Sequence, residues 1–80
     1  MTQKEIFDKI SDLLVSQLPV TKEQIKPESK LADELGADSA NIMMLVFDVE
    51  NEFSIQVDND ILETLSTVQD VVNYIEKALQ

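Results

Sequence analysis

Residues 35–53 read Leu35-Gly36-Ala37-Asp38-Ser39-Ala40-Asn41-Ile42-Met43-Met44-Leu45-Val46-Phe47-Asp48-Val49-Glu50-Asn51-Glu52-Phe53. A glycine-containing loop ends at Asp38, a good N-cap, and the residues that follow carry a helical pattern to about Phe53. At ~100° per residue, Ile42, Leu45, Val46, Val49 and Phe53 share one arc, the core face. Ala40, Met43 and Phe47 share the neighbouring arc, so the helix is apolar over much of its circumference. The remaining wedge holds Asn41, Met44, Asp48, Asn51 and Glu52. Two readings of the wide apolar arc stand. In one, the helix is central and buries Met43 and Phe47 against the others, and this is the expectation for those two residues. In the other, the arc lines a cavity or docks a partner, since methionine adapts to varied surfaces. For Met44, alone among polar neighbours, exposure and partner contact are expected.

Working outward, the same grammar recurs. Thr2 and Glu5 form a T-x-x-E capping box, and Ile6, Ile10, Leu13, Leu14 and Leu18 then mark one helical face that Pro19 helps to end. A long connection covers residues 19–37. Thr21 and Gln24 suit a short capped turn there, Pro27 breaks any longer helix, and Leu31 and Leu35 are expected to pin the segment to the core. A connection this long is often functional. A short helix is expected from about Asp58 to Leu65. Thr67 and Asp70 cap a last helix whose inner face holds Val68, Val71, Val72, Ile75 and Leu79. With one glycine and two prolines there is little provision for hairpins. The expected fold is all-α: one domain over residues 1–80, three main helices and one short helix, with a long first loop.

Composition excludes several chemistries. The chain has no cysteine, so disulfides, thiolate metal sites and thiol nucleophiles are absent. It has no histidine either, which removes the usual base and the zinc sites and triads built on it. No apolar run approaches the ~18 residues of a membrane span, and the polar N-terminus is not a signal peptide, so a cytoplasmic location is expected.

The net charge of −10 is unevenly placed: residues 1–30 hold five acids and five lysines, whereas residues 31–76 hold eleven acids and no base. Such a stretch repels nucleic acid and anionic lipid, so neither is an expected partner. The acidity either attracts basic protein surfaces or serves solubility alone. The triplet Asp58–Asn59–Asp60 is not a calcium loop, because its sixth and twelfth positions are Glu63 and Gln69 instead of Gly and Glu. No metal site is expected.

Ser39 stands at the first turn of the second helix. Serine is common at helix starts, and without a base it is a poor nucleophile. A helix N-terminus does favour negative charge, so a phosphodiester on Ser39 would sit in a stabilising field that Asp38 partly offsets.

Leu35–Gly36–Ala37–Asp38–Ser39, the apolar helix ending Glu50–Asn51–Glu52–Phe53, and the later run Thr67–Val68–Gln69–Asp70–Val71–Val72–Asn73–Tyr74–Ile75 resemble the acyl carrier protein family. The resemblance extends over essentially the whole chain, including its length, acidity and helix order. It implies that Ser39 carries 4′-phosphopantetheine, delivered from coenzyme A by a phosphopantetheinyl transferase (holo-carrier synthase), with Asp38 beside it contacting that enzyme. The arm's thiol would hold acyl groups as thioesters, so thiol chemistry becomes available to a chain without cysteine. The implied role is a discrete, monomeric, non-enzymatic carrier serving basic surfaces of fatty-acid or polyketide biosynthesis enzymes. A carrier of amino-acyl, D-alanyl or peptidyl groups on the same serine is the nearest alternative. An acidic helical interaction module without cofactor is a second.

The resemblance also implies that the acyl chain can retreat between helices. Ile42, Val46, Val57, Leu62, Leu65 and Val68 are the candidate lining, and most serve equally as ordinary core. The docking surface would hold Asn41, Met44, Asp48, Glu50 and Glu52. The family usually has leucine at the position of Ala40 and acids at those of Asn41 and Met44. This surface is therefore locally more apolar, which suggests a specialised set of partners.

Overall fold

The computed structural model describes residues 1–58, 60 and 64–80. Helix α1 spans Gln3–Gln17, a 3-10 turn spans Lys22–Gln24, α2 spans Ser39–Phe53 and α3 spans Val68–Leu79. No strand is named among the described residues, and a lone bridge joins Lys30 to Thr67. The short helix expected at about 58–65 lies outside the described residues at Asn59, Ile61, Leu62 and Glu63.

Local sequence starts each helix. Thr2 Oγ1 accepts from the Glu5 N–H at 3.2 Å, and Glu5 Oε1 accepts from the Thr2 N–H at 3.1 Å. That backbone bond holds the Glu5 carboxyl below the usual carboxylate range. Gln24 Oε1 accepts from the Thr21 N–H at 2.9 Å. At α3, Thr67 Oγ1 accepts from the Asp70 N–H at 3.2 Å. Asp70 Oδ2 accepts from Thr67 N at 3.0 Å and from Ser66 N at 3.1 Å. These exchanges, over three residues and for Ser66 over four, satisfy donors at and just before the helix starts.

Helix α1 packs against both α2 and α3. Ile6, Ile10 and Leu14 of α1 are buried with Leu45, Val49 and Phe53 of α2 and with Val68, Val71, Val72 and Ile75 of α3. Each such side chain contributes about 1.5–3 kcal/mol of burial. The first loop shares this core through Ile25, Leu31, Leu35 and Ala37. Hydrogen bonds tie the same loop to the start of α3. Val68 N–H donates to Ser29 O at 3.0 Å, Gln69 N–H to Pro27 O at 2.8 Å, and Leu31 N–H to Ser66 O at 2.9 Å. The loop carbonyls therefore satisfy the first two amides of α3, so loop and helix order together.

Two expectations fail. Met43 and Phe47 are 62% and 64% exposed, because α1 is the central helix and α2 buries only the arc facing it. Leu79 is 40% exposed, since it ends α3 beyond the last buried turn at Ile75.

Candidate functional site

The loop that delivers Ser39 is held on both sides. Leu31, Leu35 and Ala37 are buried beneath it. Above them, Leu35 N–H donates to Lys30 O at 3.1 Å, Gly36 N–H to Ala32 O at 3.2 Å and Ala37 N–H to Leu31 O at 2.9 Å. Gly36 turns the chain at φ +76°, a conformation that disfavours side chains, although a Cβ there would meet nothing within 4 Å. Backbone conformation, not crowding, is thus the reason for glycine.

Asp38 then sits extended (φ −96°, ψ −175°) as the N-cap of α2. Its Oδ1 accepts from the Asn41 N–H at 2.9 Å, while Asn41 Oδ1 accepts from the Asp38 N–H at 3.2 Å. Sequence reasoning assigned Asn41 to a docking surface and missed this capping role. The D-x-x-N spacing was the available signal, since the same spacing identified Thr2/Glu5 and Thr67/Asp70.

Ser39 is the first residue of α2 and its side chain is exposed. The amides of Ser39, Ala40 and Asn41 precede the first intrahelical bond, from Ile42 to Asp38, and the Asp38 side chain takes that of Asn41, so those of Ser39 and Ala40 favour an anion there. Among the described residues, no side chain hydrogen-bonds the Ser39 hydroxyl, so nothing stands ready to deprotonate it. The arrangement suits a hydroxyl that receives a phosphoryl group from another protein's catalytic machinery. An exposed Oγ beside a rigid cap and two outward amides fits the attachment of a phosphodiester.

Further along α2, the helix and α3 border an apolar seam lined by Leu45, Val46, Val49, Val57, Leu65, Val71, Tyr74 and Ile75. Its open volume is about 10 Å³, room for scarcely one water, so the seam is nearly closed. Of the candidate lining residues, Val46, Val57 and Leu65 border it. Ile42 is half-buried against the core and Val68 is fully buried within it, and neither borders the seam. Leu62 lies outside the described residues. Leu45, Val49, Val71, Tyr74 and Ile75 complete the seam and were not expected there. Their helical spacing marks them only as core, since periodicity does not say where two helices part.

The carboxylates expected on the docking surface each have a partner in the same chain. Asp48 Oδ2 accepts from Gln17 Nε2 at 2.7 Å. Glu50 Oε2 accepts from the Val57 N–H at 2.9 Å, and Glu52 pairs with Lys9 at 3.0 Å. Met44 is 57% exposed, as expected. Among the described residues, no group of three or more acidic side chains could hold a metal ion, and no helix is long and apolar enough to cross a membrane.

Known proteins resemble this chain over nearly its whole length. The phosphopantetheine attachment site family matches residues 8–75. The acyl carrier protein of Chlorobium phaeovibrioides is 48% identical over 77 residues, covering 96% of this chain and 99% of the relative. That of Thermotoga maritima is 46% identical over 78 residues, covering 98% and 96%. The solved structure of the Enterococcus faecalis acyl carrier protein superposes with a TM-score of 0.82 at 27% identity, covering 98% of this chain and 99% of that one.

Proposed function

Because this chain belongs to the acyl carrier protein family, whose members carry acyl groups on phosphopantetheine, we propose that Ser39 is the residue to which its 4′-phosphopantetheine arm is joined. One observation carries the assignment: Ser39 presents an exposed hydroxyl at the first position of α2, directly after the loop anchored by Leu31 and Leu35. The bound arm supplies a thiol on which acyl groups travel as thioesters. The chain's own part is to present the hydroxyl and to favour the phosphodiester charge with the first amides of α2. Asp38 keeps that helix start in place through its exchange with Asn41.

In this reading the protein is a carrier, not a catalyst: a monomeric single domain over residues 1–80 that acts in the cytoplasm. A phosphopantetheinyl transferase loads it, and fatty-acid or polyketide biosynthesis enzymes use it. The seam between α2 and α3 is where an acyl chain would enter, by separating Val46 and Val57 from Leu65.

Intact mass after incubation with coenzyme A and a phosphopantetheinyl transferase tests the assignment. The wild type gains one phosphopantetheine and Ser39→Ala gains none. An equal gain by Ser39→Ala would place the arm elsewhere.

A further inference from the structure

One carboxylate of α2 reaches beyond its own helix to a backbone amide. Glu50 Oε2 accepts from the Val57 N–H at 2.9 Å, seven residues on, and both residues are half-buried. The helix has ended by then, since Ser54 leaves it in the left-handed conformation. The Ile55 N–H donates to Glu50 O at 3.3 Å, so the main chain and side chain of one residue hold the two ends of a short strap, residues 55–57. From α3, the Tyr74 hydroxyl donates to Gln56 O at 3.5 Å, a long and exposed bond. The strap is thus tied to both helices that border the apolar seam, and its Val57 forms part of the seam wall.

With an open volume of about 10 Å³, the seam admits an acyl chain only if a wall withdraws. The walls are not equally held. Helix α3 buries Val68, Val71, Val72 and Ile75, and loop carbonyls bind its first two amides. Helix α2 buries Leu45, Val49 and Phe53, and the Lys9–Glu52 and Gln17–Asp48 contacts join it to α1. The strap has only the partly buried Ile55 and Val57 and the bonds just described. Among those bonds, the one to the Glu50 carboxylate is the shortest and has a charged acceptor.

We propose that Glu50 is a latch on the seam: its carboxylate keeps Val57 in the wall while the seam is empty, and the bond breaks when an acyl chain enters. Glu50 is a positioning residue, acting on the acyl chain through Val57. The sign of its effect follows from the two states. The bond is made in the shut seam and broken in the open one, so removing it weakens the shut state alone and shifts the balance toward the chain inside. This rests on the seam being the acyl site.

The test loads the full chain with octanoyl- or acetyl-phosphopantetheine, from the matching coenzyme A thioester and a phosphopantetheinyl transferase. Cleavage of each thioester by hydroxylamine is then followed by intact mass. A chain held in the seam draws its thioester out of reach, so the wild-type octanoyl form is cleaved several-fold more slowly than the acetyl form. Glu50→Ala slows octanoyl cleavage about fivefold further, the worth of a modest bond to a charged acceptor, and leaves acetyl cleavage unchanged. Glu50→Gln, which keeps an uncharged acceptor, falls between, and Glu52→Gln matches the wild type. In the unloaded chain, hydrogen exchange at the Val57 amide quickens about fivefold in Glu50→Ala. A merely loosened fold moves the first readout the other way, because it exposes the thioester and speeds its cleavage. Octanoyl cleavage that is unchanged or faster in Glu50→Ala, or unchanged exchange at Val57, overturns the latch while the wild-type difference between octanoyl and acetyl still supports the seam. Octanoyl and acetyl thioesters cleaved alike in the wild type overturn the seam as the acyl site, and the latch with it.

Discussion

Replacing Asp70 with asparagine isolates one electrostatic joint of the fold. The Asp70 carboxylate accepts the amides of Thr67 and Ser66 at 3.0 and 3.1 Å, at the point where the first loop meets α3. Those bonds, that from the Thr67 amide foremost, hold its carboxyl below the ordinary range, against the opposing effect of burial. Asparagine keeps the shape and one acceptor oxygen but loses the charge. Bonds to a charged acceptor exceed neutral ones by roughly 1 kcal/mol, and a capping interaction is worth about the same. Partial exposure of Asp70 reduces the sum, so Asp70→Asn costs about 1 kcal/mol at neutral pH. In a domain of this size that is a fall of about 4–8 °C in melting temperature.

The pH dependence is the sharper part of this prediction. The folded pKa lies below the unfolded value of about 3.9, so the stabilisation is complete above that value and disappears as pH falls through the folded pKa. Urea denaturation of both proteins at a series of pH values measures the gap. It is full at neutral pH and closes in acid, where the protonated Asp70 carboxyl and the carboxamide that replaces it become near-isosteres. A gap of equal size at neutral and acid pH would refute the charge argument and assign the loss to packing. No gap at neutral pH would refute the joint altogether.

Three further outcomes follow from other parts of the chain. Leu31→Ala, at a fully buried loop position, lowers stability in urea by about 2–4 kcal/mol, a core-sized loss from outside any helix. Ser54 ends α2 in the left-handed conformation, at φ 56° and ψ 43°. Glycine there relieves about 1–2 kcal/mol of strain against about 0.5–1 kcal/mol of added chain entropy, so Ser54→Gly raises the urea midpoint slightly. The eleven acids and no base of residues 31–76 repel one another, so the melting temperature rises with added salt or divalent cation at neutral pH, as a calorimetric series would record.

The helix starts were legible because a capping box is a local device. Thr2 with Glu5 and Thr67 with Asp70 are three residues apart, and such a pair exchanges its bonds whatever the rest of the chain does. The place of Ser39 at the first turn of α2 was legible for the same reason, as the residue after the N-cap Asp38. Leu31 and Leu35 stood out as apolar residues in an otherwise polar connection, and both are buried.

The sequence by itself determined where helices begin, which arc of each is apolar, where Ser39 falls and how the charge is distributed. It did not determine which apolar arc is covered. Periodicity orders residues around a helix axis but does not say how many neighbours the helix has, so Met43 and Phe47 were expected inside and lie outside. Nor did it determine the partners of the carboxylates on α2, because Lys9 and Glu52 are 43 residues apart and Gln17 and Asp48 are 31 apart. Only the packing of α1 against both other helices brings those pairs within bonding distance. The same packing leaves the seam between α2 and α3 and turns the methionines and Phe47 toward solvent.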